Sequence, residues 1–96
     1  MSGEKRLDEI RARIDALDEQ IQDLIGQRAA AAREVAQIKL AADENTHFYR
    51  PEREAEVLRR VMERNRASAG PLADEEMARL FREIMSACLA LEQPLE

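Results

Sequence analysis

Arg28 and Lys39 are the residues whose type and spacing could do chemistry in this chain. Apolar residues recur at Leu7, Ile10, Ile14, Leu17, Ile21 and Leu24, with spacing that alternates three and four. The next beats fall on Arg28, Ala31, Val35 and Ile38. A guanidinium therefore stands on a hydrophobic seam. At about 100° per residue, Arg28 and Lys39, eleven steps apart, point within about 20° of each other. Ala32 and Val35 lie between them, small and apolar. Two cations flanking a small-residue floor make a cavity with a positive lining. They stand roughly 16 Å apart along the axis, so folded-over side chains or a small anion must fill the gap. The competing reading is an Arg that snorkels outward or pairs with a core acid.

Arg11 adds a third cation. It precedes Arg28 by 17 positions, about 25 Å along one rod, so a single chain cannot bring the two together. An antiparallel pair of rods can. With a two-fold near residues 19–20, Arg11 of one chain lies beside Arg28 of the other, and the seam is nearly self-complementary: Leu17 opposes Ile21, and Ile14 opposes Leu24. Further on, Arg53 stands in a helix's first turn, where a cation is mildly unfavourable, and Glu54 follows, where an anion is welcome. Surface helices carry such pairs routinely. Phe81, Met85, Cys88 and Glu92 share one helical stripe; a Cys there is usually a small core hydrophobe, and a Glu at its end is usually exposed.

The elements that must position these residues are helices. The chain has 96 residues, only 3 Gly and 3 Pro, and no strand-like alternation. It is rich in Ala, Leu, Glu and Arg, strong helix formers. One all-α domain over residues 1–96, with its core at 7–93, is expected. The first helix is predicted from Lys5 or Arg6 to about Ala42. "DENTHFY", residues 43–49, reads as a loop. Arg50 is pushed towards extended backbone by the following proline, and Pro51 suits the first position of a second helix, with Ala55, Leu58, Val61 and Met62 on one face. "SAGP", residues 68–71, is a turn. A third helix starts near Ala73, with Asp74, Glu75 and Glu76 in its first turn and Met77, Leu80, Phe81, Ile84, Cys88 and Leu91 as its apolar stripe; Pro94 stops it. With 3% aromatics, the core must be aliphatic and Met-filled.

A first helix of that length makes a rod of roughly 55 Å, whereas a compact chain of this size has a radius of gyration near 12–13 Å. Two short helices cannot cover such a rod, so a two-fold, intertwined antiparallel homodimer is expected.

Composition narrows the function. Net charge is −5 with acids and bases interspersed, unlike the basic face of a nucleic-acid binder. One Cys rules out an internal disulfide and fits a reducing compartment. One His and one Cys argue against a His/Cys metal site. No signal peptide and no membrane-spanning run is visible, so a cytoplasmic protein is expected. No phosphate loop, redox motif or cofactor site is present.

The segments "IRARIDALDEQIQDLIGQRAAAAREVAQIKL", "FYRPEREAEVLRR" and "LFREIMSACLALEQ" together resemble the all-helical chorismate mutases, most closely the amino-terminal domains of the bifunctional chorismate mutase/prephenate dehydratases. The resemblance covers roughly residues 7–93. It implies an isomerase that converts chorismate to prephenate on the way to phenylalanine and tyrosine, in an intertwined dimer of three-helix protomers with two equivalent pockets and no cofactor. By position, it implies that Arg11 reaches in from the partner chain and that Arg28 binds a substrate carboxylate. Lys39 would serve a carboxylate and the ether oxygen, Arg53 would stand near the ring carboxylate, and Glu54 would accept the ring hydroxyl.

Three positions depart from the family's usual pattern. Arg50 falls where an acid can occur, leaving only its backbone to contact the hydroxyl. Cys88 falls where a Ser can contact the ring carboxylate. Glu92 falls where a Gln donates to the ether oxygen, although some members carry Glu. An isochorismate pyruvate-lyase on the same scaffold needs similar carboxylate-binding cations. A non-catalytic helical dimerisation module explains the seam but not cations at 11, 28 and 39 converging under one register. Any dehydratase activity would belong to residues outside this chain.

Overall fold

A computed structural model describes residues 2–41 and 51–92. It contains three helices: α1 (Ser2–Ala41), α2 (Pro51–Ser68) and α3 (Asp74–Glu92). The predicted loop at 43–49, Arg50 and the stop at Pro94 lie outside the described residues. The helix α1 begins earlier than the periodicity predicts. The first seam residue is Leu7, but Glu4 in the first turn suits the positive end of the helix dipole and lets the helix start upstream. At its other end Lys39 sits in the last turn, where a cation is favoured. Forty residues make a rod of about 60 Å, and the molecule is 64 Å long with a radius of gyration of 17.7 Å.

The α2–α3 turn is tied by side chains. Asn65 Nδ2 donates to the Leu72 carbonyl and to Asp74 Oδ1, each at 2.9 Å. Arg66 Nε donates to Asp74 Oδ2 at 3.2 Å. Ser68 Oγ donates to the Asn65 carbonyl at 2.9 Å, satisfying a late α2 acceptor. Ala69, just past α2, adopts a φ of 54°, the left-handed conformation that ends many helices. Asp74 then opens α3, and the Glu76 and Met77 amides close onto the Ala73 carbonyl at 3.1 Å each.

The helix α3 packs against both α1 and α2, while α1 and α2 make no contact with one another among the described residues. Small residues mark the close approaches: Ala32 and Ala36 on α1, and Ala78 and Cys88 on α3, are the buried apolar positions. The expected Met-filled core is looser than predicted. Leu58, Val61, Met62, Met77, Phe81, Ile84 and Met85 are half-buried, because one protomer has too few layers to enclose them.

The seam also shifts. Ala31 and Val35 are exposed and Ile38 is 68% exposed, whereas Ala32, Ala36 and Lys39 turn towards α3. A repeat of period 3.5 drifts about 20° per heptad on a straight helix. Measured from Ile21, Arg28, Ala32 and Lys39 lie within about 20°, and Ile38 lies about 100° away. The amino-terminal half of that same face is bare. Leu7, Ile10, Ile14, Leu17, Ile21 and Leu24 are all exposed, Leu24 to 63%.

Candidate functional site

The helix α3 packs against both α1 and α2, and the buried positions of α1, Ala32 and Ala36, lie on its carboxy-terminal half. Arg28 is half-buried on that half of α1. It lies on the α3-facing side, yet no hydrogen bond or ion pair holds its guanidinium among the described residues. Among the described residues no acid pairs with Arg28 in the way the competing reading expects. Lys39 is half-buried one helix turn beyond Val35 on the same side. Between the two cations lie Ala32 and Ala36, both buried; Ala36 takes the place expected of Val35.

Cys88 belongs to α3. It is buried to 3% exposure and its thiol is free. Glu92 is the last residue of α3, one turn beyond Cys88; its side chain lies outside the description, as does Arg50.

At the start of α2 the two neighbouring charges part company. Glu54 is half-buried and makes no ion pair among the described residues. Arg53 lies on the exposed side, where its Nη1 donates to Glu56 Oε1 at 2.6 Å. Arg60 Nη2 reaches the same oxygen at 3.3 Å. The hydrogen bond from Arg53, reinforced by the charge of Arg60, holds the Glu56 carboxyl below its usual range. Glu56 was not among the sequence candidates, although its i+3 spacing from Arg53 is a legible pairing signal. To serve a substrate carboxylate, Arg53 must leave Glu56, and an exposed pair of this kind holds weakly.

Arg11 is exposed on the bare half of α1, about 25 Å along the rod from Arg28. Of the residues singled out in the sequence, Arg28, Lys39 and Glu54 are half-buried and Cys88 is buried, whereas Arg11 is exposed. A separate shallow hollow of about 240 Å³ lies between the end of α2 and the start of α3, lined by Val61, Arg64, Asn65, Ser68, Met77 and Phe81. It contains none of the sequence candidates. Among the described residues no helix is long and apolar enough to cross a membrane.

Known proteins resemble this chain along its whole length. The family described as chorismate mutase type II matches residues 10–93. A bifunctional chorismate mutase/prephenate dehydratase from Stutzerimonas stutzeri is 60% identical over 99% of this chain and 26% of its own length. Proteins of the same name from Pseudomonas aeruginosa and Aquifex aeolicus are 54% and 36% identical, over 100% and 96% of this chain and 26% and 25% of their own. The chain spans about a quarter of the length of these relatives.

Proposed function

The chain belongs to the type II chorismate mutases, and from that premise we propose that it rearranges chorismate to prephenate in a homodimer, with residues 1–96 acting as one domain. The observation that carries the proposal is Arg28, a half-buried guanidinium with no protein partner among the described residues, on the face that α3 covers. Such a group is costly when empty and is answered by a carboxylate ligand.

The reaction is a unimolecular Claisen rearrangement. An ether C–O bond breaks as a C–C bond forms, no proton moves, and no covalent intermediate is needed. The site must hold a flexible dianion in a compact chair and stabilise charge that grows on the ether oxygen. Arg28 fixes a carboxylate with paired donors. Lys39 serves a carboxylate and the ether oxygen, where a donor aimed at developing charge supplies about 2.7–4 kcal/mol. Glu54 accepts the ring hydroxyl. Cys88 and Arg53 face the ring carboxylate, and the Arg50 backbone faces the hydroxyl. Glu92 donates to the ether oxygen in its protonated form; ionised, it would oppose the charge that develops there. Restricting the substrate to a near-attack shape lowers the barrier further.

Two observations support the dimer. The chain exposes 8067 Å², against about 5,600 Å² for a compact monomer of its mass. Leu7, Ile10, Ile14, Leu17, Ile21 and Leu24 all stand exposed on the amino-terminal half of α1, and a standard protein interface buries about 800 Å² per partner. The antiparallel register that covers this face places Arg11 of one chain beside Arg28 of the other, completing two equivalent pockets. The lone Cys88 suits a cytoplasmic setting.

The test is incubation with chorismate while its ultraviolet absorbance is followed. Loss of absorbance with formation of prephenate supports the proposal. Turnover of isochorismate alone, or no turnover together with no calorimetric binding of a bicyclic transition-state mimic, refutes it.

A further inference from the structure

Arg53 differs from Arg28 in one respect: it already holds a carboxylate. Its Nη1 donates to Glu56 Oε1 at 2.6 Å, and Arg60 Nη2 reaches that same oxygen at 3.3 Å. One carboxylate oxygen thus serves two guanidinium groups. The three residues stand on one flank of α2, since Glu56 and Arg60 both lie within about 60° of Arg53 around the helix. Glu54, the half-buried acid beside Arg53 in sequence, is turned about 100° from it and takes no part. The flank is open to water: Arg53 and Arg60 are exposed, and the Glu56 side chain keeps 41% of its surface. The pair can therefore be exchanged for another without unpacking the core.

We propose that Glu56 is a positioning residue that withholds Arg53 from the empty site. Its carboxylate stands in for the ring carboxylate of the substrate, and binding is an exchange in which Arg53 passes from Glu56 to the substrate while Glu56 keeps Arg60. This rests on the chorismate mutase reading above, in which Arg53 stands near the ring carboxylate, and adds to it an internal competitor. Arg60, four positions beyond Glu56, limits the cost of the exchange, because the acid that Arg53 leaves retains a cation at a favourable helical spacing. An exposed pair of this kind shifts an equilibrium by about 1.5–5-fold. The ring carboxylate keeps its charge throughout the rearrangement. The competition therefore weighs equally on bound substrate and transition state, and it changes KM while leaving kcat alone.

The test is steady-state kinetics with chorismate on wild type, Glu56→Gln, Arg53→Gln and the double variant, at one low ionic strength because salt screens exposed charges. Glu56→Gln should lower KM about 1.5–5-fold with kcat unchanged. Arg53→Gln should raise KM, and against that background the effect of Glu56→Gln should disappear, since no guanidinium is left to contest. A mere repulsion between the Glu56 charge and an anionic substrate would persist there, so a fall of equal size in the double variant overturns the proposal. An unchanged KM in Glu56→Gln also overturns it, and a raised KM does so by showing that Glu56 presents Arg53 to the substrate. In each of these cases turnover by the wild-type chain leaves the enzymatic reading standing. No consumption of chorismate by wild type overturns both.

Discussion

Replacing Arg28 by Met exchanges a half-buried guanidinium without a protein partner for a side chain of similar reach and no charge. The structure gives the two consequences opposite signs. For stability, fully burying a large apolar side chain contributes about 1.5–3 kcal/mol. Arg28 is half-buried, so Met should gain about 1 kcal/mol per protomer, with relief of the unpaired charge adding to it. For a chain of this size 1 kcal/mol raises Tm by roughly 4–8 °C. For activity, a bidentate guanidinium–carboxylate pair comprises two charge-assisted bonds, and losing it removes about 3–4 kcal/mol of binding and positioning, a fall of about 10²–10³ in kcat/KM. The assays are thermal unfolding at one fixed protein concentration, which matters for a dimer, and initial rates with chorismate. A variant that loses stability, or keeps kcat/KM within threefold of wild type, refutes the assignment. The first result would mean that Arg28 has a structural partner, and the second that the pocket lies elsewhere.

Lys39→Ala should lower kcat more than tenfold, measured by steady-state rates; near-normal turnover would remove Lys39 from the ether oxygen. Because Glu92 must be protonated to donate, kcat/KM should decline as pH rises from 5 to 8, and Glu92→Gln, which donates at any pH, should flatten the decline. A flat wild-type profile contradicts the role. The Asn65 hydrogen bond, helped by Arg66, holds the Asp74 carboxyl below its usual range. A carboxyl depressed in the folded state contributes stability above the unfolded value of about 3.9 and loses it as pH falls through the folded value. Asp74→Asn should therefore be less stable at pH 7 and should lose less on acidification, which urea unfolding at the two pH extremes will show. A Cβ on Gly26 meets open space, so Gly26→Ala should raise stability by about 0.5–1 kcal/mol; destabilisation would mean that the partner chain passes close to that position.

The helices were legible in the sequence because their signals are local. Pro51 opens α2 and Asp74 opens α3 where the sequence indicates, since a first-turn proline and a first-turn acid act on their own helix alone. The interior was less legible. The alternation of three and four put Ala31, Val35 and Ile38 on the seam, and the structure turns Ala32, Ala36 and Lys39 inward instead. The drift of a 3.5 repeat on a straight helix separates the two sets, and the stripe of Arg28, Ala32 and Lys39 follows the helix where the three-four alternation does not. Ala32, read between the two cations, and Cys88, read on the α3 stripe, are both buried, whereas Ala36 was not singled out. The partner of Arg53 was legible by spacing, but adjacency drew attention to Glu54 instead. Its neighbour Glu54 is adjacent in sequence but turned by about 100° on the helix, whereas Glu56, three positions on, shares its side.

One physical choice links the fold to the site. The other helices leave the amino-terminal half of the 40-residue α1 bare, with Leu7 to Leu24 exposed. The seam face of α1 carries Arg28 and Lys39 on its carboxy-terminal half, whereas Arg11, exposed on the other half, is turned about 100° from Arg28. In the proposed dimer the apolar beats would give affinity between copies, and the cations would hold the anion. Shortening α1 to a compact length would remove both at once: the bare seam would vanish, and Arg11 would lose the rod that carries it to a neighbour. A truncation that deletes residues 2–12 separates the two contributions, because it removes Arg11, Leu7 and Ile10 but leaves Ile14 to Leu24. Such a chain should still associate, more weakly. It should bind the dicarboxylate mimic at least tenfold less tightly than the full chain, since each pocket keeps Arg28 and loses its second guanidinium. Equal binding by the truncated chain would show that the pocket is complete within one protomer.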